Sequence, residues 1–339
     1  LKENPSSVVL KGNYFINHLN PNFMNNYAKV VGITFMSIVF LSSCSKNGND
    51  LNGMDGEAYQ TTFKITDAPV DDANVEAVFV TIAHVKVDGQ NLEGFNATTL
   101  NLSALSNGKT ATLGNLDLQA GTYSNIELEL DYDTDANGNA PGCYVMTVDG
   151  AKDKLSANAN TILINDSYDV LAQASNEIVL DFDLRKTIKK EQDALSSNFE
   201  FVSATELAAG IRTVNESVTG RITGTASDTN STSDKIVVYA YEKGTFDETT
   251  ETRGQGESNV LFAHAVTSSV VSDANNSYHL SFLKEGEYEL VFVSYNQDGD
   301  QFYFNALLEA ESTLGLNLGA LQVTSALQLS ADVTITGTK

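Results

Sequence analysis

Apolar positions recur at every second residue along much of this chain, in short runs closed by turn-forming residues. The plainest case is 123–132 (YSNIELELDY), where Ile126, Leu128 and Leu130 alternate with Glu127, Glu129 and Asp131. Successive side chains of a strand point to opposite faces, so this segment predicts a strand with one buried and one wet face, as in an antiparallel sheet. Runs rich in Val, Ile, Tyr, Phe and Thr predict further strands at 59–66, 75–87, 97–102, 143–148, 161–164, 177–183 and 199–205. A second series follows at 217–225, 235–242, 260–271, 277–283, 287–295, 301–308 and 331–336. Asp, Asn and Gly fill the breaks at 273–276, 284–286 and 296–300, and these residues suit tight reversals. The stretch 184–195 (LRKTIKKEQDAL) predicts a helix of about three turns. Strands with so few helices between them predict sandwiches rather than an α/β sheet. The expectation is an all-β protein of two β-sandwich domains: 58–214, with one short helix, and an Ig-like 215–339.

The first 57 residues break this pattern. Residues 24–29 (MNNYAK) are polar with one positive charge, 30–41 (VVGITFMSIVFL) are apolar and uncharged, and Ser42-Ser43-Cys44 follows. A basic start, a short apolar core and small residues at a cut site form a secretory signal. Leu41-Ser42-Ser43-Cys44 completes it as a lipobox, so 24–43 is expected to be a lipoprotein signal peptide and the Cys44 thiol its lipidation site. A membrane-spanning helix needs ~20 apolar residues, more than this run has. Residues 44–57, polar and rich in Gly and Asn, read as the lipidated Cys and a flexible tether. Residues 1–23 precede the signal without an initiating Met and read as an over-extended reading frame. The expected place is the bacterial cell envelope, with acyl chains such as palmitate as the membrane contact. Ser45 follows the Cys where Asp would retain the protein at the inner membrane, which favours the outer membrane of a two-membrane bacterium.

Charge narrows the partners. With 44 acidic and 20 basic residues the formal net charge is −24. Nucleic acid is not an expected partner, because phosphate contacts need clustered Lys and Arg. The two cysteines are Cys44 and Cys143. With Cys44 acylated, no intrachain disulfide can form, and Cys143 reads as a small buried apolar residue.

Two resemblances follow from particular residues. Phe63-Lys64-Ile65-Thr66-Asp67-Ala68-Pro69, then Val75-Glu76-Ala77-Val78-Phe79-Val80-Thr81-Ile82 and the later Leu180-Asp181-Phe182-Asp183-Leu184, resemble domain of unknown function 4382 over roughly 57–213. That resemblance implies a bacterial lipoprotein or envelope protein and carries no catalytic residue. Val218-Thr219-Gly220-Arg221-Ile222, Val237-Val238-Tyr239-Ala240-Tyr241 and 278–292 resemble a carboxypeptidase-regulatory-like, transthyretin-type β-sandwich. This implies a structural or adhesive accessory module. Residues 244–259 (GTFDETTETRGQGESN) depart from that compact pattern.

Candidate chemistry is acidic. Asp133, Asp135, Asn137 and Asn139, with Gly138 among them, fit the opening of a calcium loop, in which oxygens at alternate positions converge on a hard cation. Tyr144 stands where such a loop ends in a bidentate Glu, and the loop joins strands, so a solvated hairpin turn competes with calcium. The row Glu127, Glu129, Asp131 and Asp133 adds negative charge on one face. A second acidic cluster, Asp67, Asp181 and Asp183, offers a cation site or acid–base chemistry. Its competing reading is a solvated strand face, with Asp67 capping a turn before Pro69. His84, His264 and His279 form no zinc motif, and neither a G-x-S-x-G elbow nor a phosphate-binding Gly loop occurs. Tyr239, Tyr241, Tyr295 and Tyr303 read either as an aromatic platform for sugars or as strand positions in the core. The expected function is a cell-envelope lipoprotein acting as a non-enzymatic binding, adhesion or structural module, with a glycan or protein ligand. The alternative is a carboxylate-dependent hydrolase or glycan-processing enzyme, which needs two carboxylates ~5–9.5 Å apart in a cleft.

Overall fold

The alternating segments become strands in the computed structural model, which describes residues 56–68, 74–190, 198–229, 233–299 and 301–339. The expected signal peptide, Cys44 and residues 1–23 lie outside the described residues. The protein is all-β, with three α-helices of at most six residues among the described residues: α1 (Leu184–Thr187), α2 (Ala204–Ala209) and α3 (Glu248–Glu251).

Two sheets face each other in the amino-terminal half. One has the order Ile211–Asn215, Asn176–Asp183, Ala58–Ala68, Ala111–Gln119. The other runs Thr161–Ile164, Ile126–Leu130, Val75–Val87, Tyr144–Thr147, Lys152–Lys154. Ile126, Leu128 and Leu130 are buried and Glu127 and Glu129 are not, as their alternation predicts. Phe63, Ile65 and Ile178 of the first sheet pack with Val80, Ile82 and Leu128 of the second in one core. The central pair, Ala58–Ala68 with Asn176–Asp183, is parallel. The strand Ala111–Gln119 carries no clear alternation in sequence, because Gly114 interrupts it. Packing requires that Gly: a Cβ there would lie 2.7 Å from the Glu93 carbonyl oxygen.

Of the expected helix over 184–195, residues 191–195 lie outside the described residues, and within 184–190 only α1 is helical. Ile188–Lys190 is extended instead and pairs with Phe199–Phe201. Leu184, Arg185, Thr187 and Ile188 are all buried, which a one-faced surface helix does not allow, and the branched Thr187 and Ile188 favour the strand. Conversely, the carboxyl end of the expected strand 199–205 is the start of α2. Ser203 caps α2 by accepting from the Glu206 N–H, a legible cap signal.

Nine strands of the carboxy-terminal half form one hydrogen-bonded sheet. Its path is Thr267–Val270, Lys235–Glu242, Gly286–Asp298, Gln301–Ser312, Val333–Thr338, Thr219–Ser227, Ser277–Lys284. The path curls until its ends approach, where the His279 N–H donates to Ser269 Oγ at 3.0 Å. Inside lie Ile222, Val238, Leu280, Phe292 and Val333. The strand Lys235–Glu242 is buried on both faces. Its even-numbered residues Ile236, Val238 and Ala240 line that interior, and its odd-numbered Val237, Tyr239 and Tyr241 join an outer cluster with Phe262, Val291 and Tyr295. Residues 244–266 cover this outer cluster. The expected strand 260–271 is therefore only Thr267–Val270. Phe262 turns in at φ 56 and stacks on Tyr239 with ring centres 4.5 Å apart. A small fourth cluster, Val179, Val214 and Phe282, joins the two halves, and all described residues belong to one compact unit.

Candidate functional site

The parallel register sets Thr66 opposite Asp181 and Ala68 opposite Asp183, with Asp67 opposite Phe182. This brings Asp67, Asp181 and Asp183 together at the junction of the halves, and it buries all three. The solvated strand face expected for Asp181 and Asp183 is thus corrected: cations meet them there. Asp183 takes Arg185 Nη2 at 2.7 Å and Nε at 3.1 Å, with Lys186 Nζ at 3.4 Å, and caps α1 through the Arg185 N–H. Burial alone would raise the Asp183 pKa, but the Arg185 and Lys186 charges outweigh it and hold the carboxyl below its usual range. Asp181 pairs with Arg212 Nη2 at 2.5 Å, and Arg212 Nη1 donates to the Phe282 carbonyl at 2.8 Å, across to the other half. Arg185 also crosses over, with its guanidinium 5.1 Å from the centre of the Tyr239 ring.

Asp67 differs. Neither carboxyl oxygen has a hydrogen-bond partner among the described residues. Burial, then the Asp183 and Asp181 charges, push its pKa well up. The cluster therefore holds two carboxylates paired with cations beside Asp67, which favours its proton.

The same junction opens into a cleft of ≈ 770 Å³, within the range of small-ligand sites. Asp181, Asp183, Lys186 and Arg212 line it from one half, and Glu242 and Lys284 from the other. Ala204, Ala208 and Gly210 form a smooth wall at α2.

The proposed calcium loop is held by its own backbone. Asp135 Oδ1 accepts from the N–H groups of Asn137 and Asn139, each at 2.8 Å, and Oδ2 accepts from Asn139 Nδ2 at 3.1 Å. Asp131 Oδ1 accepts from the Asp133 and Thr134 N–H groups at 2.9 Å. These bonds, with the Asn139 and Thr134 N–H groups foremost, hold both carboxyls below their usual range. Asp133 points instead to Lys154 Nζ at 2.5 Å. Among the described residues no group of three or more His, Cys, Asp or Glu side chains is placed to hold a metal ion. The arrangement is that of Asx turns, but the expected hairpin is corrected: Ile126–Leu130 and Tyr144–Thr147 each pair with Val75–Val87 and not with each other.

Cys143 is buried, and burial pushes its thiol up to about 12. The sugar platform is corrected. Tyr239, Tyr241 and Tyr295 are interior, and only Tyr303 of the four is exposed, at 51%.

Sequence reasoning missed Glu251. It is 1% exposed within a segment that reads as an acidic loop. Its Oε2 accepts from Tyr241 Oη at 2.6 Å and the His264 N–H at 3.1 Å, and its Oε1 lies 2.5 Å from His264 Nδ1. Burial would raise its pKa, but the bonds from Tyr241 and His264 prevail and leave it lowered. Nothing in the sequence separates Glu251 from the nearby exposed Glu248 and Glu257.

Comparison with known proteins finds a family-model match over part of the chain. Among solved structures, a leucine-rich repeat protein from Bacteroides thetaiotaomicron VPI-5482 shares 12% identity over 82% of this chain and 26% of that one, with a TM-score of 0.20. The Bacillus anthracis TIE protein shares 13% over 83% and 34%, with a TM-score of 0.18. BcpA, the major pilin subunit of Bacillus cereus, shares 10% over 83% and 71%, with a TM-score of 0.19. The chain thus spans about a quarter to a third of the first two proteins. No curated protein matches the chain. Residues 60–200, which hold Asp67, Asp181 and Asp183, match the family model described as Domain of unknown function (DUF4382).

Proposed function

We propose that the protein is a cell-envelope lipoprotein, anchored through lipid on Cys44, whose β halves act as a non-enzymatic binding or structural module. The lipobox Leu41-Ser42-Ser43-Cys44 after a short apolar run carries this reading. The membrane is its first partner, through acyl chains, and a surface glycan or protein its second. The outer membrane is the proposed location. The junction chemistry supports a non-enzymatic role: Asp181 and Asp183, the carboxylates an acid–base enzyme would use, are both tied to arginines.

Cys44→Ser tests the anchor. Expressed in a bacterial host, the wild type is expected to enter the detergent phase on Triton X-114 partitioning and to take up labelled palmitate. The variant is expected to remain in the aqueous phase, unlabelled. Equal partitioning of the two would sink the lipoprotein reading.

A further inference from the structure

Residues 244–266 contain the stretch, 244–259, that departs from a compact β-sandwich, and they have two unlike sides. Toward their own half the contact is apolar and buried. Phe262 stacks on Tyr239, Phe246 meets Tyr241 edge-on at 5.1 Å, and Glu251 bonds Tyr241 from within. Toward the amino-terminal half the contact is polar and near the surface. Glu257 Oε2 accepts from Lys189 Nζ at 3.1 Å and from the Ser203 N–H at 3.3 Å. The Glu257 N–H in turn donates to Glu206 Oε1 at 2.7 Å. Ala265 O accepts from Lys186 Nζ at 3.5 Å.

The segment therefore grips both the cap and the first turn of α2, reciprocally and through one residue. Gly256 makes that approach feasible: its φ is +67, and a Cβ there would lie 2.0 Å from Glu206 Oε1. The two sides differ in strength. The Lys189–Glu257 pair is 31% and 40% exposed, and exposed pairs are individually weak and screened by salt. The Glu251 anchor is interior. The contact with α2 is thus the weaker of the two. Ala204 and Ala208 of α2 line the cleft, as do Ala265 and Val266 of the segment, so that contact closes one end of the cleft.

We propose that residues 244–266 are a releasable latch, fixed on the carboxy-terminal half, that fastens onto α2 through Glu257 and closes one end of the cleft between the halves. This is independent of the lipid anchor. Release separates the wall made by α2 from the wall made by Ala265 and Val266. It does not loosen the strands behind either wall.

Hydrogen–deuterium exchange on the full chain tests this. The double variant Glu257→Ala with Lys189→Ala is expected to speed exchange about tenfold or more in peptides covering 203–210 and 255–266. Peptides covering 176–183 and 235–242 should exchange as in the wild type. Glu257→Gln, which keeps an acceptor but loses the charge, is expected to give a smaller increase in the same two peptides. Raising sodium chloride from 0.05 to 1 M on the unaltered protein is expected to do likewise, which tests the contact without any substitution. Unchanged exchange at 203–210 in the double variant would overturn the latch. Faster exchange of all four peptides together would also overturn it, because the segment would then be a staple of the whole fold.

Discussion

Replacing Arg185 by Ala is expected to destabilise the protein by about 3–5 kcal/mol, the cost of stranding a buried charge. Arg185 is 4% exposed and supplies two of the hydrogen bonds that hold Asp183. Without it Asp183 keeps Lys186 at 3.4 Å, while Asp181 stands two residues away on the same strand. The loss reaches the other half too, because the guanidinium covers the face of Tyr239. Arg185→Lys should recover only part of the stability, since an ammonium cannot reproduce the paired Nε and Nη2 bonds. The double variant Asp183→Asn with Arg185→Met should be markedly milder than Arg185→Ala alone, because it removes the stranded charge. Urea unfolding at pH 7 followed by circular dichroism measures all three. A cost below about 1 kcal/mol for Arg185→Ala would mean that solvent reaches Asp183 freely.

Asp67→Asn is expected to stabilise the protein at neutral pH and to flatten its pH dependence. A carboxyl whose pKa is raised on folding takes up a proton as the chain folds, between its unfolded value of 3.8 and its higher folded value. Stability from this group is greatest at and below the unfolded pKa. It falls as pH rises through the window, by up to about 1.4 kcal/mol per pH unit, and levels off above the folded pKa. Asp183, Glu251 and Asp131 have lowered pKa values. Their contributions are lost only on acidification, so they add little slope above about pH 5. Asn keeps the shape and cannot ionise. Urea midpoints between pH 5 and 8 should fall with pH in the wild type and stay nearly level in the variant. Parallel lines would show that Asp67 is ionised throughout.

Local pattern alone determined a good deal about this chain. The side-chain period of a strand is two, so Ile126, Leu128 and Leu130 announced both the strand and its buried face before any partner was known. The strand 75–87 and the later series, apart from 260–266, followed from composition and turn residues in the same way. The part of the chain that matches a family model was legible in the run from Phe63 to Pro69, and the lipid-anchor reading rests on sequence entirely.

Tertiary structure decided what pattern leaves open. Alternation says that a face is buried but not by what. Val237, Tyr239 and Tyr241 carry a second apolar face on an already buried strand, and only the fold supplies residues 244–266 to cover it. Burial of a charged side chain runs against the usual preference for water, so Asp181, Asp183 and Glu251 read as wet positions. The parallel pairing of Ala58–Ala68 with Asn176–Asp183 set three aspartates side by side. Arginines from α1 and the strand Ile211–Asn215 then made two of those burials tolerable. Distances in space between residues 51 to 79 positions apart, as Glu206 is from Glu257 and Lys186 from Ala265, are not written in any local window, and such contacts join the two halves.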